Sequence, residues 1–476
     1  MEKRTPKSDT FADRDMGLFM DYYEMTGGKA DLDHNNKDII TENYFFRKMP
    51  AQLGSYVITA GLEQVIRFIT SYKLEKSDGK WLKLTSGKDM SDGFIKYLEN
   101  FKFKGDVYAV PEGTPVFPNE PIISITGPTI DVQLFETYLL NVMNFESLIA
   151  TKASRVVTAA RGRGVMEFGS RRAQGRDAAI LAARAAYIGG AVGSALVLAG
   201  REFGIPYLGT MPHKFVQERP SEIQAFREYA QSFPYNTVLL IDTYNTLEGA
   251  KNACVIGKEL KKKGYDLKGV RIDSGDLLVL SKKVREILDS EGMTNTKIFA
   301  SSDLDEYTID KLIKDGAPID SFGVGTRLVT GANYNPLTDK GNVSVLNGVY
   351  KLVSVSKAGK EIPKIKISDD KGKTTLPGKK QVFRRTEGEK YIEDVICLQD
   401  EKLGKGWAPL LVPIMKAGKI VYDFPDLKEL RKYCLEQVLM LPESCKDIQT
   451  PANYPVGISE KLKNLQEKMI TEFSSV

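Results

Sequence analysis

A chain of 476 residues with 42% hydrophobic and 27% charged side chains has apolar material for about two or three domains and a large core, which excludes global disorder and a small module stapled by disulfides or metal. Its 67 basic residues against 62 acidic ones leave a formal charge of only +5, too little for a protein that coats nucleic acid; any anion site is local and no nucleic-acid partner is expected. The longest uncharged run, residues 185–200, is broken by glycines and falls short of the roughly 18–20 apolar residues of a membrane crossing, and the start MEKRTPKSDTFADRDMG lacks the apolar segment of a secretory signal, so a cytoplasmic protein without a membrane partner is expected.

In chain order, helical spacing of apolar residues at 52–72 and 92–103 predicts helices, and the alternating stretch DVYAVPEGTPVFPNEPIISITGP at 106–128 predicts strands punctuated by proline and glycine. From Thr129 to about Arg161 apolar residues recur every three or four positions, as in one long helix or two abutting ones. Six short apolar runs follow: VMEFG at 165–169, IPYLG at 205–209, VLLID at 238–242, GVRID at 269–273, KIFAS at 297–301 and IDSFGVG at 319–325. Helical patterns such as AILAARAAYI, IQAFREYAQSF, LLVLSKKVREILDSEG and EYTIDKLIKDG lie between them. Strands that are apolar throughout and alternate with helices indicate a parallel sheet covered by helices. Six such units, with room for a seventh, predict an α/β fold built on an irregular, incomplete β/α barrel. Past Asn342 come hairpin-like runs at 349–356, 363–368 and 380–385, a loop rich in lysine and glycine at 367–380, and a helical C-terminus. The expected organisation is a discontinuous α+β domain from residues 1–160 and 345–476, with the barrel over residues 161–344.

In β/α barrels the chemistry sits at the C-terminal ends of the strands, and those ends are polar here. They read Glu167 to Arg172, Gly209-Thr210 leading to His213, Asp242-Thr243, Arg271 to Asp276, Ser301-Ser302-Asp303, and Gly323 to Thr326. GVGT before a helical pattern offers consecutive backbone N–H groups, either a phosphate cradle or a tight turn. Arg171, Arg172, Arg271 and Arg327 supply forked donors suited to phosphate or carboxylate. Asp273 and Asp276 in RIDSGD suit Mg²⁺ or ribose hydroxyls, while Asp276 or Ser274 would equally cap a helix. With two histidines, four cysteines and no CxxC pair, a multi-histidine or zinc centre is excluded and buried reduced thiols are expected. His213, following a strand end, is the candidate nucleophile or general acid/base. These features describe a barrel enzyme for a phosphorylated, ribose-like substrate with Mg²⁺.

The motifs carry a resemblance over nearly the whole chain. DYYEMT at 21–26, FRKMP at 46–50, ETYLLNVMNFESLIATKASR at 136–155, EFGSRRAQGRDAA at 167–179, GIPYLGTMPH at 204–213, LLIDTYNTL at 239–247, GVRIDSGDL at 269–277, ASSDLDE at 300–306, FGVGT at 322–326 and LPGKKQVFR at 376–384 occur in that order. Together they resemble the nicotinate phosphoribosyltransferases, which are type II phosphoribosyltransferases. The resemblance implies transfer of a phosphoribosyl group from phosphoribosyl pyrophosphate to the ring nitrogen of nicotinate, giving nicotinate mononucleotide and pyrophosphate for NAD biosynthesis. It also implies Mg²⁺ as cofactor, ATP as co-substrate and a phosphohistidine at His213, with His213 and Asp273 as the catalytic residues. The pyridine ring would lie between Phe168 and Tyr23 of the partner subunit in a homodimer, with Thr210, Arg271 and Arg171 near the nicotinate carboxylate. Asp273, Ser301, Ser302, Gly325 and Thr326 would meet ribose and phosphate, and Arg47 and the Lys379-Lys380 loop would reach the phosphates across the dimer interface. The chain departs from the family pattern twice. GGAVGSALVLAG at 189–200 carries Ala195-Leu196 in place of a polar Ser-Asn pair, and GTMPHKF at 209–215 sets Pro212 and Lys214 beside the histidine. A phosphoribosyltransferase for nicotinamide or another pyridine, and a non-catalytic binder of phosphoribosyl ligands, are the alternatives; the lack of an acidic residue at 192–196 speaks against an amide substrate.

Overall fold

The computed structural model describes residues 16–50, 53–86, 89–335, 340–343, 345–368 and 370–474; most of the N-terminal stretch read for an export signal lies outside them. The chain divides into two compact units, residues 1–151 with 344–476 and residues 152–343.

The first unit is built on a seven-stranded sheet in the order Lys360–Pro363, Gly348–Lys357, Ile39–Phe46, Ile123–Pro128, Asp106–Ala109, Val412–Lys416 and Lys419–Ile420. Every pairing in it is antiparallel. Tyr44, Phe46, Val107, Ile123 and Ile125 are fully buried on it, and Phe68, Tyr72, Phe101 and Phe135 pack edge to face beside them, the arrangement that ring quadrupoles favour. Two expectations are corrected here. The helix expected over 52–72 runs only Leu62–Ser71, because Val57–Ile58 pairs as a strand with Pro115 and Val116 and Gly61 turns the chain at a φ of 104°, a conformation that glycine takes without steric cost. The strand expected over 363–368 is Lys360–Pro363 instead; Pro363 has no N–H with which to extend the ladder. A four-stranded sheet of Trp407–Pro409, Lys380–Glu387, Lys390–Leu398 and Val456–Ile458 completes this unit. Within it the buried Arg384 grips Asp394 of the adjacent strand through Nε and Nη2, at 2.9 and 2.6 Å.

The second unit holds a six-stranded, wholly parallel sheet in the order Gly193–Ser194, Gly164–Glu167, Ser321–Val324, Lys297–Ser302, Gly269–Ile272 and Val238–Leu240. It is an irregular, incomplete β/α barrel. The run at 205–209, expected as a strand, contributes only a single bridge from Tyr207 to Ser194, and the extra strand is the unforeseen Gly193–Ser194. Gly193 permits that approach, since a Cβ there would fall 2.4 Å from the Pro206 carbonyl oxygen. Side chains just past three strands cap the next helix: Asn245 for Thr246–Lys262, Asp276 for Leu277–Ser290 and Asp305 for Glu306–Lys314, each satisfying orphan N–H groups. Asp276 is therefore spoken for as a cap. Beneath them the fully buried Lys152 and Arg155 converge on the buried Glu306 at 2.5 and 3.3 Å. The four cysteines are free and buried. Among the described residues no helix is long and apolar enough to cross a membrane.

Candidate active site

The parallel register brings the strand ends of the second unit into rows: Ser194 pairs with Glu167, Glu167 with Val324, and Val324 with Ser302, while Gly323 pairs with Ser301. Arg271 ties this edge together. Its Nη1 donates to Thr210 Oγ1 at 2.7 Å and its Nε to Ser301 Oγ at 2.9 Å, and its Nη2 lies 3.2 Å from Asp273 Oδ1. The Ser301 hydroxyl in turn donates to Asp273. Asp273 Oδ2 then faces His213 Nε2 at 3.5 Å, and His213 Nδ1 meets the Thr243 hydroxyl at 3.1 Å. Five residues singled out from the sequence, Thr210, His213, Arg271, Asp273 and Ser301, thus form one connected chain of polar contacts.

The electrostatics of that chain favour an ionised Asp273. Burial pushes its carboxyl up, but the Ser301 bond, the Arg271 charge and bond, and the His213 contact outweigh it and hold the group below the usual carboxylate range. Asp242 supports it from the neighbouring strand end, accepting the Asp273 N–H at 2.8 Å and the Ser274 hydroxyl at 2.7 Å on Oδ2. Its other oxygen, Oδ1, is buried with no hydrogen-bond partner, an arrangement that suits a ligand hydroxyl or a hard cation. The sequence offered a signal for this residue, a carboxylate closing the apolar run VLLID, without assigning it a role.

Phe168 forms an aromatic face beside this chain. Its N–H donates to Val324 O at 2.8 Å, and its ring lies so close to Gly323 that a Cβ there would come within 2.5 Å of it. Gly325 precedes the four-residue helix Thr326–Val329, with Thr326 exposed. Ser302 is exposed and holds a φ of 143°, a costly backbone conformation for a residue with a Cβ. Arg171 is exposed in the turn Ser170–Arg172 and has no ion-pair partner among the described residues. Arg327 is committed instead to Asp303 and Asp305, with Nε 3.0 Å from Asp303 and Nη1 2.5 Å from Asp305.

Three further candidates belong to the first unit. Tyr23, on the helix Tyr22–Asp33, is 51% exposed; partial burial of its hydroxyl and the Glu136 carboxylate raise its pKa. Arg47 lines a cavity of about 440 Å³ with Lys48, Ser55, Phe117, Asn119 and Tyr454. Lys380 is buried and donates to the carbonyls of Leu376 and Gly378 at 2.8 and 2.6 Å. Burial pushes its ammonium down to about 7, so in this conformation it closes its own loop. Its neighbour Lys379 pairs with Glu361 at 3.1 Å.

Three family models match in succession: the nicotinate phosphoribosyltransferase N-terminal domain at residues 18–144, the nicotinate phosphoribosyltransferase family at 164–400 and the C-terminal domain at 404–466. Among similar proteins is the nicotinate phosphoribosyltransferase pncB2 of Mycobacterium tuberculosis, 40% identical over 447 residues that cover 94% of this chain and 92% of that protein. The nicotinate phosphoribosyltransferase of Bacillus subtilis is 37% identical over 492 residues, covering 98% of this chain and 97% of its own. The crystal structure of human nicotinic acid phosphoribosyltransferase matches with a TM-score of 0.82 at 26% identity, covering 94% of this chain and 99% of that one.

Proposed function

This chain belongs to the nicotinate phosphoribosyltransferase family, and on that premise we propose that it joins nicotinate to the phosphoribosyl group of phosphoribosyl pyrophosphate, with ATP hydrolysis coupled through His213. In the transfer the pyridine nitrogen forms a bond to ribose C1′ while the bond from C1′ to the pyrophosphate oxygen breaks, and the bonding pair leaves with pyrophosphate. The observation that supports this reading most is the continuous chain Thr210, Arg271, Ser301, Asp273 and His213.

Each group has a task in that step. Phe168 offers a flat face for the pyridine ring, held in place by the close approach of Gly323, and orientation of this kind lowers the barrier without covalent chemistry. Arg271 and Thr210, with the exposed Arg171, present donors to the nicotinate carboxylate. Asp273, ionised, faces the positive charge that develops on the ribose as pyrophosphate departs. Ser301, Ser302, Gly325 and Thr326 bind ribose and phosphate oxygens. Tyr23, half exposed in the single chain, supplies the second stacking face as Tyr23 of the partner subunit in a homodimer, with Arg47 on the phosphate side; Lys380, buried and bonded to Leu376 and Gly378, would reach a phosphate only once its loop opens.

Mg²⁺ fits the residues present. The ionised Asp273 and the partnerless Oδ1 of Asp242 would hold it, and the described residues offer no cluster of three or more ligating side chains, so its other ligands would be substrate phosphates and water. When bound, it supplies neutralisation of the pyrophosphate charge.

His213 accepts the γ-phosphoryl of ATP: an N–P bond forms and the bond to the ADP oxygen breaks, and later hydrolysis of that bond returns free imidazole and phosphate. The contacts to Thr243 and Asp273 fix the orientation of the ring for this exchange. His213→Ala is expected to retain slow, nicotinate-dependent formation of nicotinate mononucleotide while losing all stimulation by ATP. Product formation by mass spectrometry with and without ATP checks this, and ATP stimulation that survives the substitution contradicts the phosphohistidine role.

A further inference from the structure

A buried carboxylate immediately precedes Phe168, the proposed base-binding face. Glu167 ends the strand Gly164–Glu167 and is completely buried, although Arg171 and Arg172 just beyond it are exposed. Its Oε1 accepts the N–H of Gly169, and its Oε2 accepts the hydroxyl of Ser194 and, at 3.5 Å, that of Ser170. All of these donors are neutral. The Ser194 hydroxyl oxygen also accepts the Leu196 N–H at 3.0 Å, and the main-chain carbonyl of Glu167 accepts the Ala195 N–H at 2.8 Å. A single acidic side chain therefore holds two turns together: the one that carries Phe168, Ser170 and Arg171, and the one at 194–196, where Ala195 and Leu196 carry no polar side chain.

We propose that Glu167 and Ser194 form a clasp that positions Phe168 and the 194–196 turn for the pyridine ring, so that base affinity depends on a pair that never touches the base. This rests on the reading of the site as nicotinate-binding. Burial raises the pKa of the Glu167 carboxyl while its bonds from Ser194, Gly169 and Ser170 oppose that rise; both of its oxygens accept here, as several converging donors require. Gln at 167 would keep its carbonyl oxygen on the Gly169 N–H and turn its NH₂ group to the Ser194 hydroxyl, which then accepts from it beside the Leu196 N–H and loses its own acceptor, so the Ser194 side of the clasp is weakened. With Ala195 and Leu196 offering no polar side chain, the position of their turn comes from the clasp and the main chain alone. A hydroxyl at 194 is the feature that keeps it in place.

The test uses the full-length protein and its variants Glu167→Gln, Ser194→Ala and Ser194→Thr. In hydrogen–deuterium exchange, Glu167→Gln and Ser194→Ala are both expected to speed exchange at Leu196, and Ser194→Thr to leave it near the parent rate. In steady-state kinetics, Glu167→Gln and Ser194→Ala are expected to raise KM for nicotinate about tenfold while kcat and KM for phosphoribosyl pyrophosphate stay within about twofold, with Ser194→Thr close to the parent. Unchanged exchange in both Glu167→Gln and Ser194→Ala overturns the clasp. Faster exchange with an unchanged KM for nicotinate overturns its positioning role, as does an equal rise in KM for both substrates, which would mark a general structural effect. Should the parent protein turn over no nicotinate at all, the enzymatic reading fails, and the exchange data still decide whether the clasp exists.

Discussion

Asp273→Asn is expected to lower kcat for phosphoribosyl transfer by roughly 10²–10³-fold, the scale on which a preorganised electrostatic contact acts at a reacting centre. The native carboxylate takes the Ser301 hydroxyl and the Arg271 guanidinium on one oxygen and faces His213 with the other. An amide replaces one of those acceptors with a donor and removes the negative charge that the proposed mechanism sets opposite the developing positive ribose. The sign of the pH dependence follows from the depressed pKa. A carboxyl held below its usual range in the folded protein contributes fully above its unfolded pKa of about 4 and loses that contribution only as pH falls through the lower folded value. The ratio of parent to variant activity is therefore expected to stay flat from weakly acidic to alkaline pH. A ratio that climbs through neutrality would show that Asp273 titrates there and would contradict the assignment.

Arg271→Ala is the second large effect. Its guanidinium reaches Thr210, Ser301 and Asp273 at once with only 16% of the side chain exposed. Its removal leaves Asp273 without its cation and Thr210 without its donor. Loss of such charge-assisted bonds costs about 1–3 kcal/mol, and the loss of carboxylate recognition adds to it, so kcat/KM for nicotinate is expected to fall by roughly 10²-fold or more, mostly through KM. Arg271→Lys is expected to recover little of this, because a single ammonium cannot replace a planar fork that serves three partners. Titration of initial rates against nicotinate checks both variants, and an unchanged KM in Arg271→Ala would contradict the base-site assignment.

The sequence made the core of the site legible because its residues close short apolar runs. Arg271 and Asp273 end GVRID and Ser301 ends KIFAS, and parallel pairing then places such ends side by side. Glu167 and Asp242 carried the same signal, carboxylates in the runs VMEFG and VLLID, but their hydrogen bonds to Gly169 and Ser194 and to Asp273 and Ser274 could not be read from the motifs that contain them. The fold was less legible where tertiary contacts override local pattern. Gly193–Ser194 is a strand of two residues without a side chain at its first position, while the more convincing run IPYLG pairs only at Tyr207. Ile39–Phe46 gave no alternating signal because Thr41 and Asn43 are buried with the apolar residues around them. The Lys380 ammonium could not be placed from sequence at all, since its partners are carbonyls of its own loop.

The central claim is that this site joins nicotinate to a phosphoribosyl group. The most direct measurement is pyrophosphate release by the purified protein with phosphoribosyl pyrophosphate and Mg²⁺, supplied with either nicotinate or nicotinamide, each with and without ATP. Release with nicotinate, accelerated by ATP, is expected, with none above background with nicotinamide. Release with nicotinamide in preference to nicotinate, or with neither base, would contradict the central claim.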